Sequence, residues 1–114
     1  MTDGCLFCKM VAGDIPAPKL HDDDLVFAIR DISPRAPVHL LIIPKEHLAD
    51  ARHVADTHGR TLARMIAVAR ELAVAEGIEQ RGYRLAFNVG GDAGMTVPHL
   101  HMHLLGGRQL GAEG

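Results

Sequence analysis

A seven-residue run near the end of the chain, HLHMHLL at residues 99–105, constrains the fold most strongly. Histidines and apolar residues alternate in it with a period of two, which is typical of a strand that buries one face. On such a strand His99, His101 and His103 share one face, and the leucine and methionine residues between them share the other. The sequence therefore predicts a strand that packs its apolar side chains on a core and turns three imidazoles outward together.

The same spacing limits what the three histidines can do. Residues four apart on a strand are separated by about 13 Å, whereas a zinc–imidazole bond is about 2 Å long, so the three rings do not bind one metal ion together. The central residue, His101, instead has an imidazole on each side. A neutral imidazole with a fixed tautomer is a competent nucleophile, which makes His101 the candidate nucleophile. The alternative is that the histidines are only the polar face of an amphipathic strand.

The rest of the chain predicts two helices and further strands. Apolar residues recur at three- and four-residue steps from about Val54 to Glu76, which predicts one long helix, and Gly77 suits its C-terminal cap. The other predicted elements are a short helix within residues 5–14 and strands near 19–21, in 24–31, in 38–44 and in 83–88. The fold class is therefore α+β, with a mainly antiparallel sheet of about five strands, one long helix and one short helix.

Length and charge exclude several classes of protein. The chain has 114 residues, which predicts a single domain over residues 1–114 with one hydrophobic core. Its formal net charge is −2, so we expect no nucleic-acid partner. The first residues, MTDG, are acidic and lack the basic and apolar stretches of a signal peptide, and no apolar run is long enough to span a membrane. We therefore expect a cytoplasmic protein without a membrane partner.

Two cysteines, Cys5 and Cys8, form a single C-x-x-C motif. A structural disulfide is not expected in a reducing compartment, which leaves a metal site, a redox pair or no function. A thioredoxin-like redox pair follows a strand, and four residues are too few to form one, so the redox reading is the weakest.

A glycine-rich loop precedes the histidine run. Gly90, Gly91 and Gly94 are followed by Thr96, and a loop of this kind can present successive backbone N–H groups to an anion. A phosphate group is the anion that this arrangement suggests. The alternative is an ordinary hairpin loop without a ligand.

The histidine run and its surroundings resemble the histidine triad (HIT) family, whose signature is His-φ-His-φ-His-φ-φ with φ apolar. The likeness extends over most of the chain, and the segments that carry it are CLFCKMVAGDIPAPKL, FAIRDISPRAPVHLLIIPKEH and GYRLAFNVGGDAGMTVPHLHMHLLGGRQ. The NVGGDAG loop and the GGRQ segment resemble the Hint branch, the purine nucleoside phosphoramidases. The resemblance implies a HIT-like fold, a homodimer whose sheets join, a purine nucleotide ligand of the AMP or GMP type, and no cofactor required for catalysis.

The resemblance also implies roles for the catalytic residues. His101 would attack the α-phosphorus and form a covalent nucleotidyl-histidine that water then hydrolyses. His103 would bind a phosphate oxygen, and His39 would support the triad from a neighbouring strand. Thr96 stands where the family usually has serine, close to the leaving group, and keeps the hydroxyl donor. On its own pattern, His39 also fits a buried histidine with satisfied hydrogen bonds.

Further residues are assigned to nucleotide binding by the same resemblance. Asp31 would accept hydrogen bonds from both ribose hydroxyls, and Ile32 would form a wall of the base pocket. Asn88, Gly94 and Met95, together with Thr96, would form the polar loop around the phosphate. Read without the family, Asp31 and Asn88 are also residue types that form turns.

A zinc site is a separate expectation. Cys5, Cys8, His47 and His99 would make a Cys₂His₂ set, which is a common tetrahedral zinc site. Several bacterial members of the family resemble this arrangement. The role of the zinc would be structural.

Three functions remain open from the sequence. The leading hypothesis is an enzyme that hydrolyses the P–N bond of nucleoside 5'-phosphoramidates. The second is a dinucleoside polyphosphate hydrolase, which would need several basic residues for the extra phosphates, whereas the sequence near the triad offers only Arg108. The third is a non-catalytic nucleotide-binding scaffold dimer.

Overall fold

The computed structural model describes residues 4–114. The acidic start on which the signal-peptide expectation partly rests, residues 1–3, lies outside this range. The helices are α1 (Leu6–Ala12) and α2 (Gly59–Ala75), and the strands are β1 (His21–Asp22), β2 (Val26–Arg30), β3 (Val38–Pro44), β4 (Tyr83–Ala86) and β5 (Met102–Gly106). Within the described range, neither helix has the length and apolar character needed to cross a membrane.

The five strands form one antiparallel sheet in the order β1-β2-β3-β5-β4. Prolines and polar residues in the segment between β2 and β3 form a turn that reverses the chain, so these two strands pair as antiparallel neighbours. β3 lies at the centre of the sheet, and all seven of its residues are buried. The predicted fold class is confirmed: a five-stranded antiparallel sheet with one long and one short helix.

The sheet is covered on both faces. On one face, α2 packs Met65, Val68 and Ala69 into a core that includes Leu40 of β3 and Met102 of β5. The apolar side chains of α2 fall on one side at helical spacing, which is why this helix lies flat on the sheet. A smaller core covers the opposite face, and it contains Cys5, Phe7, Phe27, Ile29, Leu41 and Ile43. The short helix α1 therefore covers the face of the sheet opposite to α2.

The histidine run departs from its prediction in two respects. Only its last part is a strand, because β5 begins at Met102, and residues 99–101 are an irregular approach to it. The alternation of faces is present, since Leu100, Met102 and Leu104 all lie in the α2 core. The prediction that the histidines point outward is wrong, because their exposed fractions are 0% for His99, 9% for His101 and 6% for His103. The histidines are buried because α1 covers this face of the sheet. The alternation of residue types within the run carries no information about that helix.

The long helix is shorter than its periodicity predicts. It begins at Gly59 and not near Val54, because Ala51–His53 and Asp56–His58 form two separate 3-10 turns. The carboxylate of Asp50 accepts a hydrogen bond from the backbone N–H of Arg52 and so begins the first turn. Val54 and Ala55 are both extended, which separates the two turns and delays the helix. Gly77 has a φ of +75°, as its predicted place at the helix end requires.

The glycine directly after strand β5 is one that we predict to be intolerant of substitution. Gly107 has a φ of +93°, and a Cβ at this position would lie 2.9 Å from the Cβ of Pro37. Gly107→Ala should lower the free energy of unfolding by about 2 to 3 kcal/mol, since backbone strain and a steric overlap add. Urea unfolding measures the change. Gly111→Ala is the matched control, because nothing lies within 4 Å of its added Cβ, and equal stability of both variants would contradict the prediction.

Candidate active site

A cavity of about 450 Å³ lies between α1, the end of β2 and the loop before β5. Every residue that the sequence assigned to nucleotide binding lines it: Asp31, Ile32, Asn88, Gly94, Met95, Thr96, His101 and His103. The rest of its wall is largely apolar and includes Leu6, Phe7, Met10, Ile29 and Val97. A concave site with an apolar wall and a few convergent polar groups is the usual form of a small-molecule site.

The geometry of His101 leaves one ring nitrogen free. Its Nδ1 lies 2.7 Å from the backbone oxygen of His99. A carbonyl oxygen only accepts hydrogen bonds, so Nδ1 carries the proton and donates it, and Nε2 keeps an unshared electron pair. The edge contact with Phe7, at 5.2 Å between ring centroids, holds the ring further. The ring therefore has the tautomer that a histidine nucleophile requires.

His39 and His103 are joined by a directional hydrogen-bond chain. The backbone N–H of Arg35 donates to Nδ1 of His39 at 3.1 Å, so the proton of His39 is on Nε2. That Nε2 donates to Nδ1 of His103 at 2.9 Å and lies 3.4 Å from a carboxylate oxygen of Asp31. His103 consequently keeps its own proton on Nε2, which lies 3.4 Å from Nδ2 of Asn88; because the amide N–H₂ is also a donor, it does not accept this proton and leaves it for a ligand. His103 thus presents an N–H donor on the side of the cavity.

Both of these buried histidines are neutral at pH 7. Burial, together with smaller effects of the neighbouring His101, His39 and Arg35, lowers the pKa of His103 to about 4 against the opposing effect of Asp31. Burial also lowers the pKa of His39, again against an opposing effect of Asp31. The hydrogen-bond chain therefore consists of neutral imidazoles with assigned donors and acceptors.

The position of Asp31 is compatible with both roles considered from the sequence, turn formation and nucleotide binding. One carboxylate oxygen accepts a hydrogen bond from the backbone N–H of Ser33 at 2.8 Å, which is a turn-forming contact. The side chain also lines the cavity at the end of β2. The next residue, Ile32, is 98% exposed, which is unusual for a large apolar side chain and places it on the open side of the cavity.

The glycine-rich loop owes its path to backbone conformations that favour glycine. Gly90 and Gly94 have φ values of +81° and +85°, on either side of a 3-10 turn at Gly91–Ala93. The backbone N–H of Met95 donates back to the oxygen of Gly90 and closes this loop. Thr96 follows in an exposed position on the cavity wall.

The four residues predicted to bind zinc come together beside the cavity. Nδ1 of His99 lies 3.2 Å from Sγ of Cys5, 3.5 Å from Sγ of Cys8 and 3.1 Å from Nδ1 of His47, and the Cys8–His47 distance is 3.2 Å. Tetrahedral ligands of one zinc ion are separated by about 3.3 to 3.8 Å, given Zn–S bonds of about 2.3 Å and Zn–N bonds of about 2.0 Å. The donor set and its spacing therefore fit a tetrahedral zinc ion.

The surroundings of this Cys/His cluster also suit a cation. Nε2 of His99 donates to the backbone oxygen of Pro44 at 2.8 Å, which leaves Nδ1 unprotonated and facing the two sulfur atoms. Burial, together with the neighbouring Cys5, raises the pKa of the Cys8 thiol to about 11. Without a cation the Cys8 sulfur is thus a neutral thiol at pH 7, and a bound divalent ion would stabilise the thiolate.

Comparisons with known proteins identify the family. The sequence model of the HIT domain matches residues 12–110. The chain is also 47% identical over 111 residues to the purine nucleoside phosphoramidase of Escherichia coli K12, which covers 97% of this chain and 93% of the relative. This chain belongs to the HIT family.

Solved structures of HIT proteins agree with this assignment. A HIT family hydrolase from Clostridium thermocellum superposes with a TM-score of 0.93 at 43% identity, over 98% of this chain and 97% of that one. A HIT family hydrolase from Legionella pneumophila gives 0.90 at 51% identity, over 93% and 95%. The resemblance stated from the motifs is therefore confirmed, and this HIT protein is a hydrolase.

The sequence missed several residues that line the site of this HIT domain. The expectation that Arg108 is the one basic residue near the triad is wrong, because Arg30 and Arg35 line this cavity and Arg108 does not. Arg35 lies in the segment between Asp31 and His39, so its place in the chain was a usable signal. Leu6 and Phe7 of α1 were expected beside the base, but Met10 of the same helix had no signal, because its approach to the triad joins residues about 90 positions apart.

Proposed function

We propose that this HIT-family hydrolase cleaves the P–N bond of purine nucleoside 5'-phosphoramidates through a covalent nucleotidyl-histidine on His101. The observation that carries the proposal is the hydrogen bond from Nδ1 of His101 to the backbone oxygen of His99, because it leaves Nε2 free beside the cavity. The purine nucleoside phosphoramidase from Escherichia coli, with which the chain shares 47% identity, supports the choice of substrate.

The cavity offers separate surroundings for the three parts of a nucleotide. The purine would lie against the apolar side chains of Leu6, Phe7 and Ile29, which bury aromatic surface well. Asp31 would accept hydrogen bonds from the ribose hydroxyls, since a carboxylate only accepts when ionised. The phosphate would lie near Asn88, with backbone N–H groups of the Gly94 loop as further donors.

The reaction would take place in two displacements at phosphorus. In the first, Nε2 of His101 forms a bond to the α-phosphorus as the P–N bond breaks, and the leaving amine keeps the electron pair and takes up a proton. We assign delivery of that proton to the hydroxyl of Thr96, which lines the cavity and regains a proton from water. In the second, a water oxygen bonds to phosphorus and its proton passes to solvent, the His101–phosphorus bond breaks with its electron pair returning to Nε2, and the nucleoside monophosphate is released.

His103 would stabilise both displacements as a hydrogen-bond donor. Its Nε2–H is fixed by the chain from Arg35 through His39, so it needs no reorientation when negative charge develops on a phosphoryl oxygen. Its lowered pKa keeps His103 neutral, so it does not add a second positive charge beside the nucleophile. Asp31 lies 3.4 Å from His39 and stabilises the donor end of the same chain.

The mechanism predicts the behaviour of a single variant. His101→Ala should lower kcat/KM for adenosine 5'-phosphoramidate at least about a thousandfold, because no other group can replace the nucleophile. AMP affinity, measured by calorimetry, should change little. The wild-type protein quenched during turnover should carry one adenylyl group on His101 by mass spectrometry at neutral pH. His53→Ala, an exposed histidine, is the control, and unchanged turnover in His101→Ala would rule out the mechanism.

We also propose a structural zinc ion held by Cys5, Cys8, His47 and His99. When bound, it would join α1, the residues after β3 and the approach to β5 at one point. Because α1 forms the apolar wall of the cavity, the ion would stabilise that wall without entering the chemistry.

Metal analysis tests the zinc proposal. The purified protein should contain about one zinc per chain, and Cys8→Ser should reduce this to less than about a tenth, with a lower thermal midpoint. His58→Gln, which removes a histidine outside the cluster, should keep the metal. Less than about a tenth of an equivalent in the wild-type protein would end the proposal.

We propose further that the chain forms a homodimer through the edge of the sheet. In the described part of the chain β4 pairs with β5 alone, so its other edge carries free backbone groups. Leu85 of β4 is 36% exposed, and Ile66 and Val74 of α2 are exposed as well. An edge strand beside exposed apolar side chains suits pairing with a second copy.

Solution mass tests the dimer. Sedimentation at micromolar concentration should give about twice the mass of the chain, and Leu85→Glu should shift the population toward monomer by placing a charge at the interface. Val11→Glu changes an equally exposed apolar residue on α1 and should leave the dimer intact. A monomeric wild-type protein would refute the homodimer.

A further inference from the structure

A second groove of about 310 Å³ opens beside the nucleotide cavity. Three residues line both the cavity and the groove: Arg35, Asn88 and His103. The groove then continues along β4 and the end of the chain, where its lining includes Arg84, Leu105, Arg108 and Glu113. A molecule too large for the nucleotide cavity could therefore extend from His103 into this groove.

The sheet register places Arg84 on the same face as the triad. Arg84 pairs with Leu105 and Ala86 pairs with His103 across β4 and β5. Directly paired residues project from the same face of a sheet, so Arg84 stands on the side that carries His103. Its guanidinium group donates to the backbone oxygen of Gly111 at 2.8 Å and is held over the groove by this contact.

The groove has an excess of positive charge. Arg108 donates to the backbone oxygens of Arg35 and Gln109, at 2.8 and 3.0 Å. Among residues 4–114, no ion pair with a carboxylate involves Arg35, Arg84 or Arg108, whereas Arg30 and Arg52 each pair with one. Three guanidinium groups thus face a single acidic residue of the lining, Glu113.

The position of the groove matches the path of a leaving group. In a displacement at phosphorus the attacking and leaving atoms are roughly in line, so the amine departs on the side away from His101. His101 lines the nucleotide cavity but not the groove, whereas His103 and Asn88 line both. The groove therefore begins next to the expected phosphate position and does not lie on the side of the nucleophile.

We propose that this arginine groove binds an anionic leaving group, so that the preferred phosphoramidates are those of amines that carry carboxylates. The inference rests on the proposed P–N hydrolysis and specifies its substrate class. A guanidinium group binds a carboxylate through two parallel hydrogen bonds, and groups that now contact only backbone carbonyls have donors to spare for it. A nucleotide leaving group, as in a dinucleoside polyphosphate, is also anionic and is a separate arm of the test.

Matched substrates test the charge preference. We compare the adenosine 5'-phosphoramidates of glutamate and of glutamine amide, which have the same shape but differ by two negative charges. The wild-type enzyme should show a kcat/KM about tenfold higher for the glutamate compound, and the preference should decrease as salt is raised from about 0.05 to about 0.5 M. Unsubstituted adenosine 5'-phosphoramidate, which has no group that reaches the groove, is the internal reference.

Variants of the groove locate the effect. The double variant Arg84→Gln/Arg108→Gln should reduce the preference to less than about twofold, and Arg84→Lys/Arg108→Lys should restore most of it because the charge is retained. Arg60→Gln/Arg70→Gln removes the same charge from exposed positions of α2 and should keep the preference. Equal kcat/KM for the two amino-acid compounds in the wild-type enzyme, or a preference that survives in Arg84→Gln/Arg108→Gln, would overturn the inference.

Two further measurements separate the inference from the proposed function. Affinities of the two compounds for His101→Ala report on the groove without turnover, and equal affinities there would count against it. Absence of any hydrolysis of unsubstituted adenosine 5'-phosphoramidate by the wild-type enzyme would instead refute the proposed function. A higher kcat/KM for diadenosine tetraphosphate than for the glutamate compound, lost in Arg84→Gln/Arg108→Gln, would overturn carboxylate amines as the ligand in favour of a nucleotide.

Discussion

The register between β3 and β5 is the constraint on which the rest of the structure depends. Leu41 pairs with His103 and His39 pairs with Leu105, so both histidines project from the face opposite to α2. The diagonal placement of His39 and His103 brings their ring nitrogens to 2.9 Å. A slip by one residue would move the imidazoles into the α2 core and the apolar side chains out of it, at a large cost in free energy. Apolar burial on the α2 side therefore fixes the polar geometry on the other.

The segment before β5 connects the Cys/His cluster and the nucleotide cavity through its backbone. The ring of His99 faces the Cys/His cluster, and its carbonyl oxygen accepts a hydrogen bond from Nδ1–H of His101. Phe7 of α1 contacts the rings of both residues, at 5.7 and 5.2 Å between centroids. The position of α1 and the tautomer of His101 are therefore both set by contacts with residues 99–101, and disturbance of the cluster would reach the cavity by this route.

The sequence predicted the part of this arrangement that depends on local pattern. Alternation placed Leu100, Met102 and Leu104 on the core side, and helical spacing found α2, because both signals are contained in a few consecutive residues. Burial of the histidines was missed, since the cover comes from Phe7 and its neighbours in α1, far away in the chain. The start of α2 was missed for a local reason: the cap at Asp50 favours 3-10 turns where periodicity alone continues the helix. Arg84 was missed because its face depends on pairing with β5.

The neutral imidazoles and the charged guanidinium groups of the site lie in different parts of the sheet. A histidine nucleophile must keep an unshared electron pair, whereas the binding of phosphates and carboxylates needs positive charge. Burial on the sheet lowers the pKa of His103 and His39, which keeps that pair of imidazoles neutral. Permanent charge is supplied instead by arginines at the exposed end of the sheet, where guanidinium groups remain hydrated and lose little free energy. Arg35 also helps to lower the pKa of His103. The positive charge of this exposed arginine therefore helps to keep the buried imidazole neutral.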